Sequence, residues 1–335
     1  MNNTNNKLIV IAGPTCSGKS DIAIELSKII DAEIVSCDSM QIYKGLDIGT
    51  AKVTKDEMGN IKHYMIDICS PKDNFDIKQF SEMAKECIYK IQNENKIPIL
   101  VGGTGYYIKS VLYENNFLDE DENVKNAIIN DINNDIEKYG FEYIYEELKK
   151  VDIESTNRIH INNKKRVIRA LLFYKLHNMK ISEFNDEENK KTSPYECLNI
   201  LLETNKETLY KRINDRVDKM IDNGLLNEIC GLINQGVSKN CNSMQAIGYK
   251  ELYDYCYENM AKIQAKSIDF KNDNELKSLA EKVKQNSRNY AKRQLTWFNA
   301  QKNFLRINTD KFSSDKKLIA KEIFTKNKNF LSKNL

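Results

Sequence analysis

The sequence predicts an α/β protein, a parallel sheet flanked by helices with an inserted all-helical subdomain, and three observations carry that reading. Apolar runs of strand length alternate with amphipathic helical stretches over the first 115 residues. The stretch from about 115 to 197 reads as helix throughout and is nearly devoid of Gly and Pro. Strand-like runs then return at residues 199–202 and 304–307, so the sheet is interrupted rather than complete before the insertion. A chain of 335 residues, 41% hydrophobic, has interior enough for two domains or for one core with a large insertion. The expected division is 1–115 with 198–335 as the core, and 116–197 as the helical insertion.

In chain order, the run Leu8-Ile9-Val10-Ile11-Ala12 reads as a buried strand, and residues 21–30 place Ile22, Leu26, Ile29 and Ile30 on one helical face. Residues 33–37, 64–68 and 97–101 are the second, third and fourth strands, with a helix over 75–93 between the last two. The insertion carries helices near 123–150 and 155–178 and a polar loop at 185–193. Three further helices are expected at 206–235, 243–259 and 274–300, and no internal repeat is visible.

Between the first strand and the first helix stands Gly13-Pro14-Thr15-Cys16-Ser17-Gly18-Lys19-Ser20, which fits the phosphate-loop pattern G-x-x-x-x-G-K-[ST] in the context that gives it meaning. Backbone amides of such a loop turn inward on phosphate oxygens, and the helix N-terminus adds partial positive charge. Lys19 adds a full charge, and Ser20 is placed to reach a Mg²⁺. The sheet is therefore expected to be P-loop NTPase-like, and the ligand to carry a diphosphate.

The net charge of +3 is unevenly spread. Residues 261–335 hold 18 Lys and Arg against 7 Asp and Glu, a local +11, in which Arg288, Lys292, Arg293 and Lys302 accompany Trp297 and Phe298. Residues 160–180 contain Lys164, Lys165, Arg166, Arg169, Lys175 and Lys180 without an acid, whereas the first 115 residues sum to −2. This distribution suits a polyanion-binding enzyme and equally suits solvated helix faces in a Lys-rich protein. The eight cysteines form no C-x-x-C pair and no zinc spacing, so they read as reduced thiols. With no secretory h-region and no run of eighteen apolar residues, a soluble cytoplasmic protein without membrane contact is expected.

Ligands in such sheets bind at the carboxyl edge of the strands. After the second strand, Asp38-Ser39-Met40-Gln41 brings a carboxylate near the phosphate loop. After the fourth, Gly102-Gly103-Thr104-Gly105 offers a hydroxyl with little bulk, leaving room for a substrate to approach the backbone. Hydrolytic machinery is poorly represented. Asp67 is the candidate Walker B carboxylate, and Asn205-Lys206-Glu207-Thr208 has Thr where a guanine-reading N-K-x-D needs Asp. A phosphate cradle, one candidate base and basic helices point instead to group transfer with a departing diphosphate. A nucleoside or nucleotide kinase, or a prenyltransferase acting on free AMP, is the alternative.

Seven segments, run in order, resemble the bacterial tRNA dimethylallyltransferases over nearly the whole chain: GPTCSGKS (13–20), DSMQIYKGLDIGTAK (38–52), VGGTGYYIKSVL (101–112), NNKKRVIRAL (162–171), RINDRVDKMIDNGLLNE (212–228), QAIGYKEL (245–252) and AKRQLTWF (291–298). The resemblance implies transfer of a dimethylallyl group from dimethylallyl diphosphate to N6 of the adenosine 3′ to the anticodon in tRNA, with Mg²⁺, by a monomer. It makes Asp38 the general base, Thr104 a hydrogen-bonding partner of the acceptor amine, and Lys19 with Arg216 the cations on the diphosphate. It assigns tRNA contacts to Asp38, Ser39, Met40, Gln41, Thr104, Lys125, Asn162, Asn163, Lys164, Lys165, Arg166, Gln245, Ala246, Ile247, Gly248, Tyr249, Lys250, Lys292, Arg293 and Gln294. Ser20, Ile161, Asn163 and Asn299 depart from the family's usual Thr, Pro, Asp and basic residue. Tyr106, Tyr107 and Trp297 are candidate base-stacking platforms or, alternatively, packing residues.

Overall fold

The computed structural model describes residues 6–114, 118, 120–188, 190–268, 272–301 and 303–331. Lys302 of the basic C-terminal run, and the boundary positions 115 and 116, lie outside the described residues.

Six parallel strands form one sheet: β1 (Lys7–Ala12), β2 (Ala32–Ser36), β3 (His63–Tyr64), β4 (Ile97–Gly102), β5 (Glu196–Glu203) and β6 (Leu305–Asn308), in the order β3-β2-β4-β1-β5-β6. Ile9 and Ile11 of β1 stand beside Ile99 and Val101 of β4, and beside Leu198 and Ile200 of β5. Strands β2 and β4 are buried along their whole length and β1 beyond its first residue, as expected of parallel strands covered on both faces. Alternate residues of β1 define the two faces. Ile9 and Ile11 join Ile22 and Leu26 of the helix Lys19–Ser27 and Ile319 and Ile323 of the helix Lys316–Lys326 in one core cluster.

Several predicted elements are shorter than their hydrophobic pattern. The third strand ends at Tyr64 because Met65 and Asp67 have φ of 63° and 54°, which an extended chain cannot accommodate. The chain leaves the sheet there, and Asp67 and Ile68 donate their amides to the carbonyls of Gln41 and Ile42. Gly224 (φ 97°) divides the predicted 206–235 helix into Lys206–Asp222 and Leu225–Asn234. The 243–259 helix is a 3-10 turn, Asn242–Gln245, followed by Tyr249–Glu258. Helices Gly105–Leu112 and Lys316–Lys326 had no counterpart in the sequence reading.

The chain divides into two compact units, Met1–Leu112 with Pro194–Leu335, and Tyr113–Ser193. The second unit, taken by itself, is helical. Gly140 (φ 84°) splits the predicted 123–150 helix into Glu122–Tyr139 and Phe141–Val151, and the 155–178 segment consists of Ile153–Arg158 and Lys164–His177. Ile181–Glu188 is a helix, and its last turn falls within the polar loop expected at 185–193. Its small core gathers Ile132, Phe141, Ile144, Leu148, Val167 and Leu171.

Candidate active site

The carboxyl ends of β1, β2 and β4 open into a cleft of about 740 Å³. Its floor is the phosphate loop. Gly13 must be glycine, since a Cβ there would lie 3.0 Å from the Leu202 carbonyl oxygen and 2.9 Å from Ser17 Oγ. Gly18, at φ 83°, starts the helix Lys19–Ser27 in a left-handed conformation that glycine adopts without cost. The helix N-terminus is therefore aimed into the cleft with no side-chain cap on its amides, an arrangement open to an anion. Ser17 Oγ is buried with no hydrogen-bond partner. Lys19 Nζ donates to the Pro14 carbonyl at 2.6 Å, and burial pulls its pKa down to about 8 even though Asp38 and Cys16 pull it upward. An ammonium held at such a desolvation cost is poised to gain from a phosphate.

Three elements distant in sequence converge on this loop. Arg216, from the helix Lys206–Asp222, reaches Thr15 Oγ1 at 3.4 Å and Cys16 Sγ at 3.7 Å with Nη1, and donates to the Thr50 carbonyl at 3.0 Å with Nη2. Asp38 lines the cleft, and its Oδ1 accepts the backbone amides of Met40 (2.9 Å) and Gln41 (3.4 Å). Gln294, from the helix Asn274–Asn299, accepts from the Thr15 amide and donates to the Gly103 carbonyl, both at 2.9 Å, so a single side chain ties the β1 loop to the β4 turn. The glycines of that turn serve this packing. A Cβ at Gly102 would strike the Cys37 carbonyl, at Gly103 the Gln294 amide, and at Gly105 the Trp297 ring. Gly103 and Gly105 thus pack closely against Gln294 and Trp297, while Gly102 and Gly103 line the cleft.

The family model for IPP transferase matches residues 41–301. The chain belongs to the IPP transferase family. It is 46% identical over 299 residues to the tRNA dimethylallyltransferase of Bacillus cereus (strain ATCC 14579), covering 87% of this chain and 86% of that one. The Bacillus mycoides protein of the same name is also 46% identical, over 300 residues. Among solved structures, the tRNA delta(2)-isopentenylpyrophosphate transferase of Staphylococcus epidermidis shares 41% identity with a TM-score of 0.64, covering 96% of this chain and 99% of that one. A eukaryotic dimethylallyltransferase described as acting on tRNA shares 27% identity with a TM-score of 0.75, covering 95% of this chain and 78% of that one.

The remaining predicted positions of this IPP transferase divide by exposure. Ser39, Met40 and Gln41 are half-buried at the β2 edge, and Gln41 Nε2 donates to the Thr50 carbonyl at 3.3 Å. Thr104 is half-buried, and its carbonyl accepts the Tyr107 and Ile108 amides as the next helix begins. Asn162 to Arg166, Gln245, Lys250, Lys292 and Arg293 are exposed, and Ile247 is half-buried. Ala246, Gly248 and Tyr249 are buried, and both ends of the buried Gln294 amide are spent on backbone. Lys125 pairs with Glu120 at 3.0 Å and Glu122 at 3.2 Å. Asp67 pairs with Lys52 at 2.5 Å and is not among the residues lining the cleft, which removes it as the Walker B carboxylate. Tyr107 packs on Phe80 with ring centroids 4.3 Å apart, Trp297 packs edge-on against Phe298, and Tyr106 is exposed.

Tyr290 was missed. It lines the cleft, and burial followed by the negative charge of Asp38 raises the pKa of its phenol. Arg293 lies over its ring at 5.6 Å. The signal was available, because Tyr290 and Gln294 are four residues apart and so share a helix face. Among the described residues, no group of three or more His, Cys, Asp and Glu is arranged to hold a metal. A Mg²⁺ would instead fit the pattern of one or two protein ligands plus phosphate oxygens, with Ser20 as the hydroxyl at the mouth of the loop.

Proposed function

We propose that the chain transfers a dimethylallyl group from dimethylallyl diphosphate to N6 of the adenosine on the 3′ side of the anticodon in tRNA. The observation that carries this is the convergence of the phosphate loop, Arg216 and Asp38 around one cleft in an IPP transferase chain. A bond forms between the allylic carbon and N6, the carbon–oxygen bond to diphosphate breaks, and one proton leaves N6. Lys19, Arg216 and the loop amides take up the negative charge that develops on the leaving diphosphate. The planar fork of Arg216 matches two phosphate oxygens at once. Asp38 takes the N6 proton, its carboxylate held in place by the Met40 and Gln41 amides. Thr104 orients the amine. Ser20 would help to hold a Mg²⁺, which would supply further charge neutralisation at the diphosphate.

To reach the cleft the adenosine must leave its stack, and the loop backbone around it needs cations. Exposed Lys164, Lys165, Arg166, Lys250, Lys292 and Arg293 supply them in this reading, and the helical unit is a tRNA-binding insertion. In this reading the enzyme acts as a monomer, and the tRNA substrate favours the cytoplasm. No helix among the described residues is long and apolar enough to cross a membrane. Incubation with dimethylallyl diphosphate and bulk tRNA, then digestion to nucleosides and mass analysis, should show a prenylated adenosine together with released diphosphate. Unmodified tRNA would overturn the reading.

A further inference from the structure

The loop after β2 is held by a carboxylate from a remote helix. Glu228 Oε2 accepts the backbone amides of Asp47 at 2.9 Å and Ile48 at 2.7 Å, and Oε1 accepts that of Gly49 at 3.1 Å. The Tyr249 hydroxyl donates to Oε1 at 2.5 Å. Tyr249 is fully buried, and its ring fits against Gly49 so closely that any Cβ there would collide with it. Three successive amides on one carboxylate make an anion-binding nest turned inward on the protein itself, and charge-assisted bonds of this kind are short and strong.

What the clamp holds in place is the next residue. The Thr50 carbonyl is the anchor for Arg216 Nη2 at 3.0 Å and also accepts from Gln41 Nε2 at 3.3 Å. Its own side chain turns back to the Leu46 carbonyl at 2.6 Å, closing the loop on itself. Arg216 thus has one end of its guanidinium fixed to a loop that Glu228 fixes, while the other end faces Thr15 and Cys16 of the cradle. We propose that Glu228 is a positioning residue for the transfer reaction: by gathering the amides of Asp47, Ile48 and Gly49 it sets the Thr50 carbonyl that holds Arg216 over the phosphate loop. The proposal rests on the reading that Arg216 meets the diphosphate.

Glu228→Gln tests it with almost no change of volume, because the amide replaces one acceptor oxygen with a donor that faces a backbone N–H. Inorganic diphosphate and dimethylallyl diphosphate are titrated calorimetrically into the wild-type protein, Glu228→Gln, Arg216→Gln and the double variant. Loss of one such bond, only partly transmitted to Arg216, should weaken diphosphate binding about three- to tenfold in the wild-type background. In the Arg216→Gln background the same change should cost less than about 1.5-fold, since neighbours that act through one another are not additive. An equal loss in both backgrounds would make Glu228 merely structural and overturn the proposal. If Arg216→Gln leaves diphosphate binding unchanged, the reading of Arg216 fails, and the role of Glu228 falls with it. Should Glu228→Gln not fold, Tyr249→Phe, which removes one bond to the carboxylate and keeps the charge, takes its place in the same cycle with the same criteria.

Discussion

Lys19 shows how a binding site carries a cost in the empty protein. Its folded pKa of about 8 lies below the ordinary 10.5, so holding the ammonium charged destabilises the fold. That cost is fully present below pH 8 and fades as pH rises from about 8 toward the unfolded value. Diphosphate affinity should behave oppositely, losing the contribution of Lys19 as pH rises through about 8, and a titration series across pH 7 to 9.5 checks this. Lys19→Met should raise Tm at pH 7 while abolishing transfer and sparing tRNA binding; a variant with normal turnover at saturating donor would end the diphosphate assignment. Asp38 carries a different kind of role. Asp38→Asn can still accept the Met40 and Gln41 amides, so the turn survives, but it cannot take a proton. Turnover should drop about 10²- to 10⁴-fold with donor affinity nearly unchanged, as measured by single-turnover kinetics and donor titration.

At the scale of elements, buried polar groups pin helix junctions that hydrophobic periodicity does not register. In the helical unit, Asp152 is 1% exposed and caps the helix Ile153–Arg158. Its carboxylate accepts the Ser155 amide (3.0 Å) and hydroxyl (2.6 Å) and the Ser182 amide (3.0 Å) and hydroxyl (2.6 Å). Burial alone would raise its pKa, but these four bonds outweigh burial and hold the carboxyl below its usual value. Its contribution to stability is therefore present above the ordinary carboxylate range and lost as pH falls through the lowered pKa. Asp152→Ala strands two amides and two hydroxyls and should destabilise this unit by about 2–4 kcal/mol, read from denaturant unfolding followed by circular dichroism. Gly224 acts at a junction too. By ending one helix and starting another it frees Leu225–Asn234 from the line of the preceding helix, and Glu228 lies on that second segment.

Across the whole molecule, the excess of basic residues is concentrated toward the C-terminus. The basic C-terminal stretch includes Lys292 and Arg293, which are exposed on a helix whose Gln294 and Phe298 are buried. If both cations neutralise tRNA phosphates, each releases counterions, with a slope of log affinity against log salt of about −0.7 per contact for single strands. Replacing both with Gln should flatten that slope by about 1.4 units for an anticodon stem-loop, without altering donor binding. An unchanged slope across a salt series would restrict this helix to packing.

The sequence alone determined the parallel sheet, the phosphate loop and the helical insertion, because period-2 and period-3.6 patterns and a Gly-Lys-Ser spacing are local properties of the chain. The position of Asp38 at the cleft was legible for the same reason, as a residue just past a strand end. Left-handed residues such as Met65 and Gly140 cut the third strand and the long insertion helix without disturbing the apolar pattern, so local reasoning ran through them. Only the tertiary structure decided that Gln294 buckles the β1 loop to the β4 turn, that Tyr290 lines the cleft, and that Glu228 sets the loop on which Arg216 rests. Those contacts join residues 180 or more apart in the case of Gln294 with Gly103 and of Glu228 with Ile48, and no periodicity within either segment encodes the other's position.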